Sequence, residues 1–563
     1  MLFLVWLVLG VAWLVWAART AESGRDRLLE ARTTLTPDDL LAGRGTDLIL
    51  SAQSDFERAE ARATSPVVAP LRVLPGIDRQ VESFAAITSA AADVSGVAAR
   101  AVEEASAELN VAVPTGQGRI DLLDQVADVS ERAAAQVAVV DLGPEDGLIG
   151  PVQDARDDLA DEVTSLELTM LNVRDAASGM ADVFQGPSRY LLLAGNNAEM
   201  RAGSGMFLSI GVLSFEDGSL ELSEMEPTGD LTLEEGVEYT DPDLEARWGW
   251  TSPNREWRNL SMSPRFPVNA EMASRMWVAQ GGDPVDGVLA VDPFALQALL
   301  GAIGPVEVDG EQVDDANVIP LLLHDQYLQV SDAEGGEAQD ERREVLSSVA
   351  EAVVAQFDAT SPDLAALADG LRGAGSGRHL MLWSEERALQ RVWADVGVGG
   401  AVDGDDLYLS VDNFGQSKLD QFLEVEGELR TSSDEDGTEV VLEATIRNTT
   451  PEGEPAYITG EEPTEEKPAG TYVGLVTVTM PEAAVVEPEE RFAVFGPDGA
   501  SQVVGTEVVL APGEVTTVEV TFRLPPGVTS LEVGPSARYP AISWRYGDQE
   551  WFDDQVPRVR LEW

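Results

Sequence analysis

The spacing of hydrophobic positions changes along the chain and divides it into segments. The first 18 residues form an apolar run without a charged side chain, which reaches the lower limit of a membrane-spanning helix. From Thr20 to about Phe184, apolar residues recur at three- and four-residue steps, as in a predicted helix from Asp78 to about Leu109. Beyond Val411, β-rich runs are separated by glycine, proline and acidic turns. These patterns predict helices before Phe184 and strands after Val411.

Strand and helix signals alternate in the region between these segments. The stretch from Arg189 to Leu222 holds two apolar runs separated by a short polar loop. The first run ends in Gly195, Asn196 and Asn197, residue types that tolerate positive φ and hydrogen-bond locally. The alternation continues to about Val411 and predicts an α/β layered domain with a mixed sheet.

The predicted fold is therefore multidomain α+β. Its parts are a transmembrane anchor at residues 1–18, a helical stalk or bundle at 19–186, an α/β domain at 187–411 and an all-β sandwich at 412–563. The apolar stripes of the helical segment either bind a partner or pack against one another in a bundle.

The apolar run at the N-terminus predicts a single-pass protein of the cell membrane, with most of the chain outside the cell. A cleaved signal peptide is the alternative, but no basic leader precedes the run and no clear small-residue cleavage site follows it. Arg19, Arg25 and Arg27 follow the run, and the positive-inside rule taken literally would place the body inside the cell. A start codon assigned too late would have removed a basic leader and would reconcile this pattern with an extracellular body.

Composition narrows the range of partners. The chain has 37 Lys and Arg against 100 Asp and Glu, a net charge of −63, which disfavours nucleic acid and anionic lipid as main partners. It has no cysteine, so disulfides and thiolate-ligated metals are excluded. With only His324 and His379 as histidines, a zinc site built on several imidazoles is excluded too. We expect both histidines to be structural and predict no metal site.

Common catalytic signatures are absent from the sequence, which contains no HExxH, P-loop, CxxC or GxSxG motif. The glycine run from Gly373 to Gly377 is interpreted as a helix-to-strand linker rather than a phosphate-binding loop. Lys418 and Asp420 are expected to secure the junction with the β domain. The residues alone therefore do not identify an enzyme.

The polar loop after the first apolar run is a candidate ligand-binding site that consists of Asn196, Asn197, Glu199 and Arg201. The glycines that follow would let a ligand approach backbone N–H groups, and Arg201 supplies a fixed cation. The alternative is a turn that satisfies itself. In that arrangement Glu199 pairs with Arg201, while the two asparagines cap neighbouring backbone groups.

Five segments between about Tyr190 and Asp420 form an ordered series. In order they are YLLLAGNNAEMRAGSGMFLSIGVLSFEDGSLEL, VDGVLAVDPFALQALLGAIGPVEVDG, DERREVLSSVAEAVV, HLMLWSEERALQRV and DNFGQSKLD. Together they resemble the domain of unknown function 4012 family of bacterial membrane-anchored proteins. One departure is Arg265, where the family pattern leads us to expect an acidic residue. The resemblance implies a cell-envelope protein of unknown biochemical role, and we expect it to bind an envelope glycan, a glycolipid or a protein partner.

A more distant similarity is to the LytR-CpsA-Psr transferases, carried by VDPFALQALLGAIGPVEV and DERREVL. Those proteins move glycopolymers from a polyprenyl pyrophosphate carrier to the cell wall. The similarity implies Arg342 and Arg343, together with Arg201, as pyrophosphate ligands, and Asp292 as a metal-facing acid. Magnesium would be a cofactor only of such a transferase, and otherwise no cofactor is expected. The alternative for Arg342 and Arg343 is a solvated helix start, paired with the acidic residues just before them.

Overall fold

The structure is a computed structural model that describes residues 2–34, 45–109, 115–329, 336–415, 417–460, 464, 467–547, 551–554 and 558–563. The side chains of Arg342 and Arg343 lie outside the described part, although the backbone there is helical. The chain forms two compact units, Met1–Val183 and Phe184–Trp563. The finer domain boundaries proposed from the sequence stay predictions.

The N-terminal unit consists of packed helices. Within the described residues these are α1 (Leu2–Thr34), α2 (Thr46–Ala63), α3 (Ile77–Leu109), α4 (Gln117–Val137) and α5 (Gly150–Gln185). Phe56 of α2 packs with Ala91 and Ala92 of α3, and Val97 of α3 packs with Val137 of α4. The three- and four-residue spacing of apolar positions thus supplies internal core contacts between neighbouring helices.

The predicted transmembrane anchor is wrong. In the part of the chain that the structure describes, no helix is long and apolar enough to cross a membrane. The apolar half of α1 instead contacts its own unit, because Trp13 and Leu14 pack against a cluster around Leu71. The guanidinium of Arg62 lies 3.9 Å from the ring centroid of Trp16. The predicted fold was therefore wrong in its transmembrane component. The predicted single-pass localisation in the cell membrane, which depended on that component, was wrong too.

The C-terminal unit begins with a mixed sheet. The strands of this region are β1 (Ser188–Asn196), β2 (Met206–Glu216), β3 (Ser219–Leu222), β4 (Glu226–Pro227), β5 (Gly287–Val291), β6 (Val306–Val308), β7 (Glu311–Val313) and β8 (Leu380–Ser384). The strand order is β3-β2-β1-β5-β8, with β4 beside β2, while β6 and β7 form a separate hairpin. β1 is antiparallel to β2 and parallel to β5, so the sheet is mixed.

Helices cover both faces of this sheet. They are α6 (Pro242–Trp248), α7 (Phe266–Ala279), α8 (Pro293–Ile303), α9 (Val318–Pro320), α10 (Gln326–Gln329), α11 (Gly336–Ala359), α12 (Leu364–Ser376) and α13 (Arg387–Asp395), with a π-helical turn between α9 and α10. Leu191 and Leu193 face one core with Met276 of α7, whereas Leu192 faces the other with Leu296 of α8. Successive side chains of a strand point to opposite faces, so burial on both sides explains why β1 is apolar throughout.

The C-terminal part is a sandwich of two six-stranded sheets. Its elements are β9 (Asp406–Asn413), β10 (Leu423–Asp434), β11 (Gly437–Asn448), α14 (Ala456–Thr459), β12 (Tyr472–Pro481), β13 (Val485–Val486), β14 (Phe492–Pro497), β15 (Ser501–Leu510), β16 (Val515–Leu524), β17 (Ser530–Val533), β18 (Ser543–Tyr546), β19 (Phe552–Asp553) and β20 (Val559–Glu562). The sheet orders are β13-β16-β11-β10-β18-β19 and β14-β15-β12-β9-β17-β20. Leu442 and Phe522 from the first sheet share one core with Leu409 and Val476 from the second.

The polar segment between β4 and α7 is ordered and ties the mixed sheet to the sandwich. Trp248 is fully buried, and its indole N–H donates to Asp498 of the sandwich at 3.1 Å. Arg265 donates to both carboxylate oxygens of Asp241, at 2.8 and 2.9 Å, and also to Asp498. Its hydrogen bonds lower the pKa of Asp241. A cation at position 265, where the family pattern suggested an acid, therefore has two carboxylates as partners.

Candidate functional site

The polar loop between β1 and β2 lies buried against the sandwich. Asn196, Asn197, Glu199 and Arg201 are 3, 0, 9 and 4 % exposed. Between them, the backbone N–H of Met200 donates to Asp420 at 3.0 Å, and its carbonyl accepts from the N–H of Asn413 at 3.0 Å. The loop is thus held by residues that lie more than 200 positions further along the chain.

Asn196 and Glu199 are both engaged with residues from outside the loop. The Asn196 amide donates to the hydroxyl of Tyr327 at 2.9 Å, and its oxygen accepts from the N–H of Ala198 at 2.9 Å. Glu199 pairs with Lys418 rather than with Arg201. The ammonium of Lys418 lies 4.8 Å from the ring centroid of Tyr327. Burial by itself lowers the pKa of Lys418, but Glu199, Tyr327 and Tyr457 together outweigh burial and raise this pKa.

Arg201 is surrounded by main-chain acceptors. Its Nη1 donates to the carbonyls of Met200, at 3.0 Å, and Asn413, and its Nη2 donates to the side-chain oxygen of Asn259 at 3.4 Å. Burial lowers the pKa of Arg201, and the nearby Asp412 opposes this effect. Both terminal nitrogens of the guanidinium are therefore occupied, and a pyrophosphate would have to displace these contacts.

Asp292 caps α8 and gathers two further side chains. Its Oδ1 accepts from the N–H groups of Phe294, at 2.9 Å, and Ala295, at 3.2 Å. Its Oδ2 accepts from Asn197 at 2.8 Å and lies 2.6 Å from Nδ1 of His379. The structure thus brings two predicted residues together, Asn197 and Asp292, and adds His379. Across the described residues, no group of three or more acidic or histidine side chains could hold a metal ion.

The predicted residues do not all meet at one point. Asn196 contacts Tyr327, and Glu199 contacts Lys418. Arg201 donates to Asn413, whereas Asn197 donates to Asp292. Asp420 and its partner Arg538 were not predicted as a pair: they form a salt bridge at 2.9 Å and are 0 and 1 % exposed at their side chains. No local sequence signal indicates this pair, because 118 positions separate its members.

An aromatic pair, of which Trp250 is exposed and Phe414 half-buried, lies beside Arg201. Trp250 is 57 % exposed, and its ring stacks on that of Phe414, with the centroids 5.5 Å apart and the planes 20° from parallel. Cζ of Arg201 lies 5.3 Å from the centroid of Phe414. The indole N–H of Trp250 donates to the carbonyl of Arg247 at 3.1 Å, which fixes the ring. We call Trp250 and Phe414 the aromatic platform. Its one signal in the sequence is the presence of three tryptophans, Trp248, Trp250 and Trp257, in the polar segment.

Residues 185–327 match the family model described as Protein of unknown function (DUF4012). This segment belongs to the DUF4012 family. The predicted resemblance is thereby confirmed over these residues, whereas the similarity to LytR-CpsA-Psr transferases stays a prediction. Searches of curated proteins and of solved structures found no match to the chain. The DUF4012 segment contributes Asn197, Arg201, Trp250 and Asp292, while their partners such as Phe414 lie beyond it.

Proposed function

We propose that this protein binds a neutral glycan on the aromatic platform. The observation that supports the proposal is the exposed ring of Trp250, 57 % accessible and stacked on Phe414. The faces of sugar rings carry C–H groups, which pack against the electron-rich face of an aromatic ring. Large, rigid aromatic side chains at a surface contribute much contact area at a low cost in conformational entropy.

The platform is fixed before a ligand arrives. The Trp250 indole is held by its hydrogen bond to the Arg247 carbonyl, and the N–H of Phe414 donates to the carbonyl of Val473 at 2.8 Å. Arg201 lies beside Phe414 in the buried loop. Because these groups need no reordering, binding would lose little affinity to conformational entropy.

The charge of the chain favours a neutral ligand. A net charge of −63 repels polyanions, including phosphate-rich or uronic-acid-rich polymers. Trp250 is also the single exposed large hydrophobic residue between positions 227 and 267, all of which are described. One exposed indole is smaller than the apolar centre of a stable protein interface. These two features support a neutral sugar over a protein partner.

The test is calorimetric titration of the full chain with neutral oligosaccharide fragments of β-glucan, chitin and mannan. Trp250→Ala should weaken binding by about 2 kcal/mol, about 30-fold in Kd, as expected when a central aromatic contact is removed. Trp551→Ala is the matched control, because Trp551 is 46 % exposed and packs against Arg545. Absence of binding to every fragment, or equal losses in the two variants, would refute the proposal.

A further inference from the structure

The pair formed by Asp292 and His379 is rigid. Asp292 is 2 % exposed and accepts from two backbone N–H groups at the start of α8 and from the amide of Asn197. The backbone N–H of His379 donates to the carbonyl of Ala374 in the last turn of α12 at 2.8 Å. With Oδ2 of Asp292 2.6 Å from Nδ1 of His379, both side chains have one defined orientation.

The contact with Asp292 fixes the tautomer of a neutral His379. A carboxylate accepts the proton on Nδ1, so Nε2 carries the free electron pair. Nε2 of His379 makes no hydrogen bond within the described residues, although the side chain is 7 % exposed. Oδ1 of the fully buried Asn197 also has no partner there. The two side chains that contact Oδ2 of Asp292 therefore each carry one polar atom that is unpartnered among the described residues.

We propose that His379 is a catalytic general base for the hydrolysis of a carboxylic ester, with Asp292 as its positioning residue. Nε2 of His379 removes a proton from a water molecule as the water oxygen bonds to the ester carbonyl carbon. The bond from that carbon to the alcohol oxygen then breaks, and the proton passes from Nε2 to the leaving alkoxide. One ester and one water give one carboxylic acid and one alcohol.

The surroundings favour a neutral ester over a phosphate ester. The ring of Phe294 stacks on His379 with the centroids 4.4 Å apart, and Tyr539, 38 % exposed, lies 5.6 Å from Phe294. The cation next in sequence, Arg378, donates to the carbonyls of Pro264 and Gly400 instead. An aromatic wall beside an anionic carboxylate accepts an uncharged acyl group, whereas a phosphate needs cationic or N–H donors.

The chain has only two histidines, so one substitution at each position tests every histidine of the protein. The probe is p-nitrophenyl acetate, followed by nitrophenolate absorbance with the full chain. His379→Gln should lower the protein-dependent rate about 100-fold, within the range that general-base catalysis supplies. His324→Gln is the control and should leave it unchanged, because His324 contacts Asp325 and Glu454 elsewhere. The wild-type rate should fall in D2O, since a proton moves in the transition state.

A second variant separates chemistry from folding. Asp292→Asn keeps a side chain that caps helices well, so α8 should stay formed. It removes the carboxylate that orients His379, and we expect a rate loss with unchanged thermal unfolding. Equal rates for wild type and His379→Gln, equal losses for both histidine variants, or no hydrolysis above buffer would each overturn the proposal. None of these results depends on whether the aromatic platform binds a glycan.

Discussion

Asp412 is the buried acid whose removal should change how stability depends on pH. It is fully buried, and its Oδ1 has no hydrogen-bond partner among the described residues. Burial raises its pKa from 3.8 to about 7, and Arg201 opposes that shift. Asp412→Asn keeps the size of the side chain and one acceptor oxygen, but the amide cannot ionise.

The sign of the effect follows from proton linkage. The pKa of Asp412 is higher in the folded than in the unfolded chain, so the folded state binds more protons. The stability that protonated Asp412 contributes is therefore fully present below about pH 4 and is lost as the pH rises through about 7. The shift from 3.8 to about 7 corresponds to about 4 kcal/mol at the conversion of about 1.4 kcal/mol per pKa unit. Asp406, whose pKa burial raises to about 6, adds a loss of the same sign.

The assay is urea unfolding at pH 5 and pH 8.5, followed by the fluorescence of buried tryptophans such as Trp248 and Trp257. The wild type should lose several kcal/mol between these pH values, and Asp412→Asn should lose about 3 kcal/mol less. The difference is smaller than the full value of about 4 kcal/mol because part of the stability from Asp412 is already lost at pH 5. Asp283→Asn is the control. Because the side chain of Asp283 is 80 % exposed, this substitution should leave the pH dependence of the unfolding free energy unchanged. If Asp412→Asn shows the same loss as the wild type, the explanation from burial is wrong.

Two further predictions concern the buried ion pairs, each measured by urea unfolding at neutral pH. Lys418→Met leaves the Glu199 carboxylate buried without its partner and should cost about 3–5 kcal/mol, whereas adding Glu199→Gln should recover most of the loss. Arg265→Met leaves Asp498, 0 % exposed at its side chain, without its cation and should cost about 3 kcal/mol or more, with recovery on adding Asp498→Asn. Losses below about 1 kcal/mol, or double variants no better than the single ones, would contradict the assignment.

Local periodicity was enough to predict the elements that depend on neighbouring residues. The helix expected from residue 78 to 109 is α3, Ile77–Leu109, and the apolar run at Tyr190 lies in β1. The anchor failed for a different reason. An apolar run has the same hydropathy whether lipid or protein covers it, and only the fold shows Trp13 packed beside Leu71.

The contacts at the candidate site depend on pairs that are distant in sequence. Glu199 meets Lys418, 219 positions away, and Asn197 meets the carbonyl of Ala537, 340 positions away. No spacing rule connects such residues, so the sequence could only suggest that Glu199 pairs with Arg201 of its own loop. In the fold, Glu199 pairs with Lys418 instead. Asn197 and Asp292 were both selected from the sequence, but only the parallel pairing of β1 and β5 shows why they meet.

The position of Arg201 shows how the polar loop can be a self-satisfied turn and still influence ligand binding. Its guanidinium donates to the carbonyl of Asn413 and lies 5.3 Å from the ring of Phe414, the next residue. A ligand on Trp250 would therefore rest on an indole ring that stacks on Phe414, and the buried loop holds Phe414 in place. The loop residues can be satisfied by the protein, as in a turn that serves the fold, and still determine where a ligand binds. In that case the loop contributes to affinity through the rigidity of the aromatic platform, without contacting the ligand.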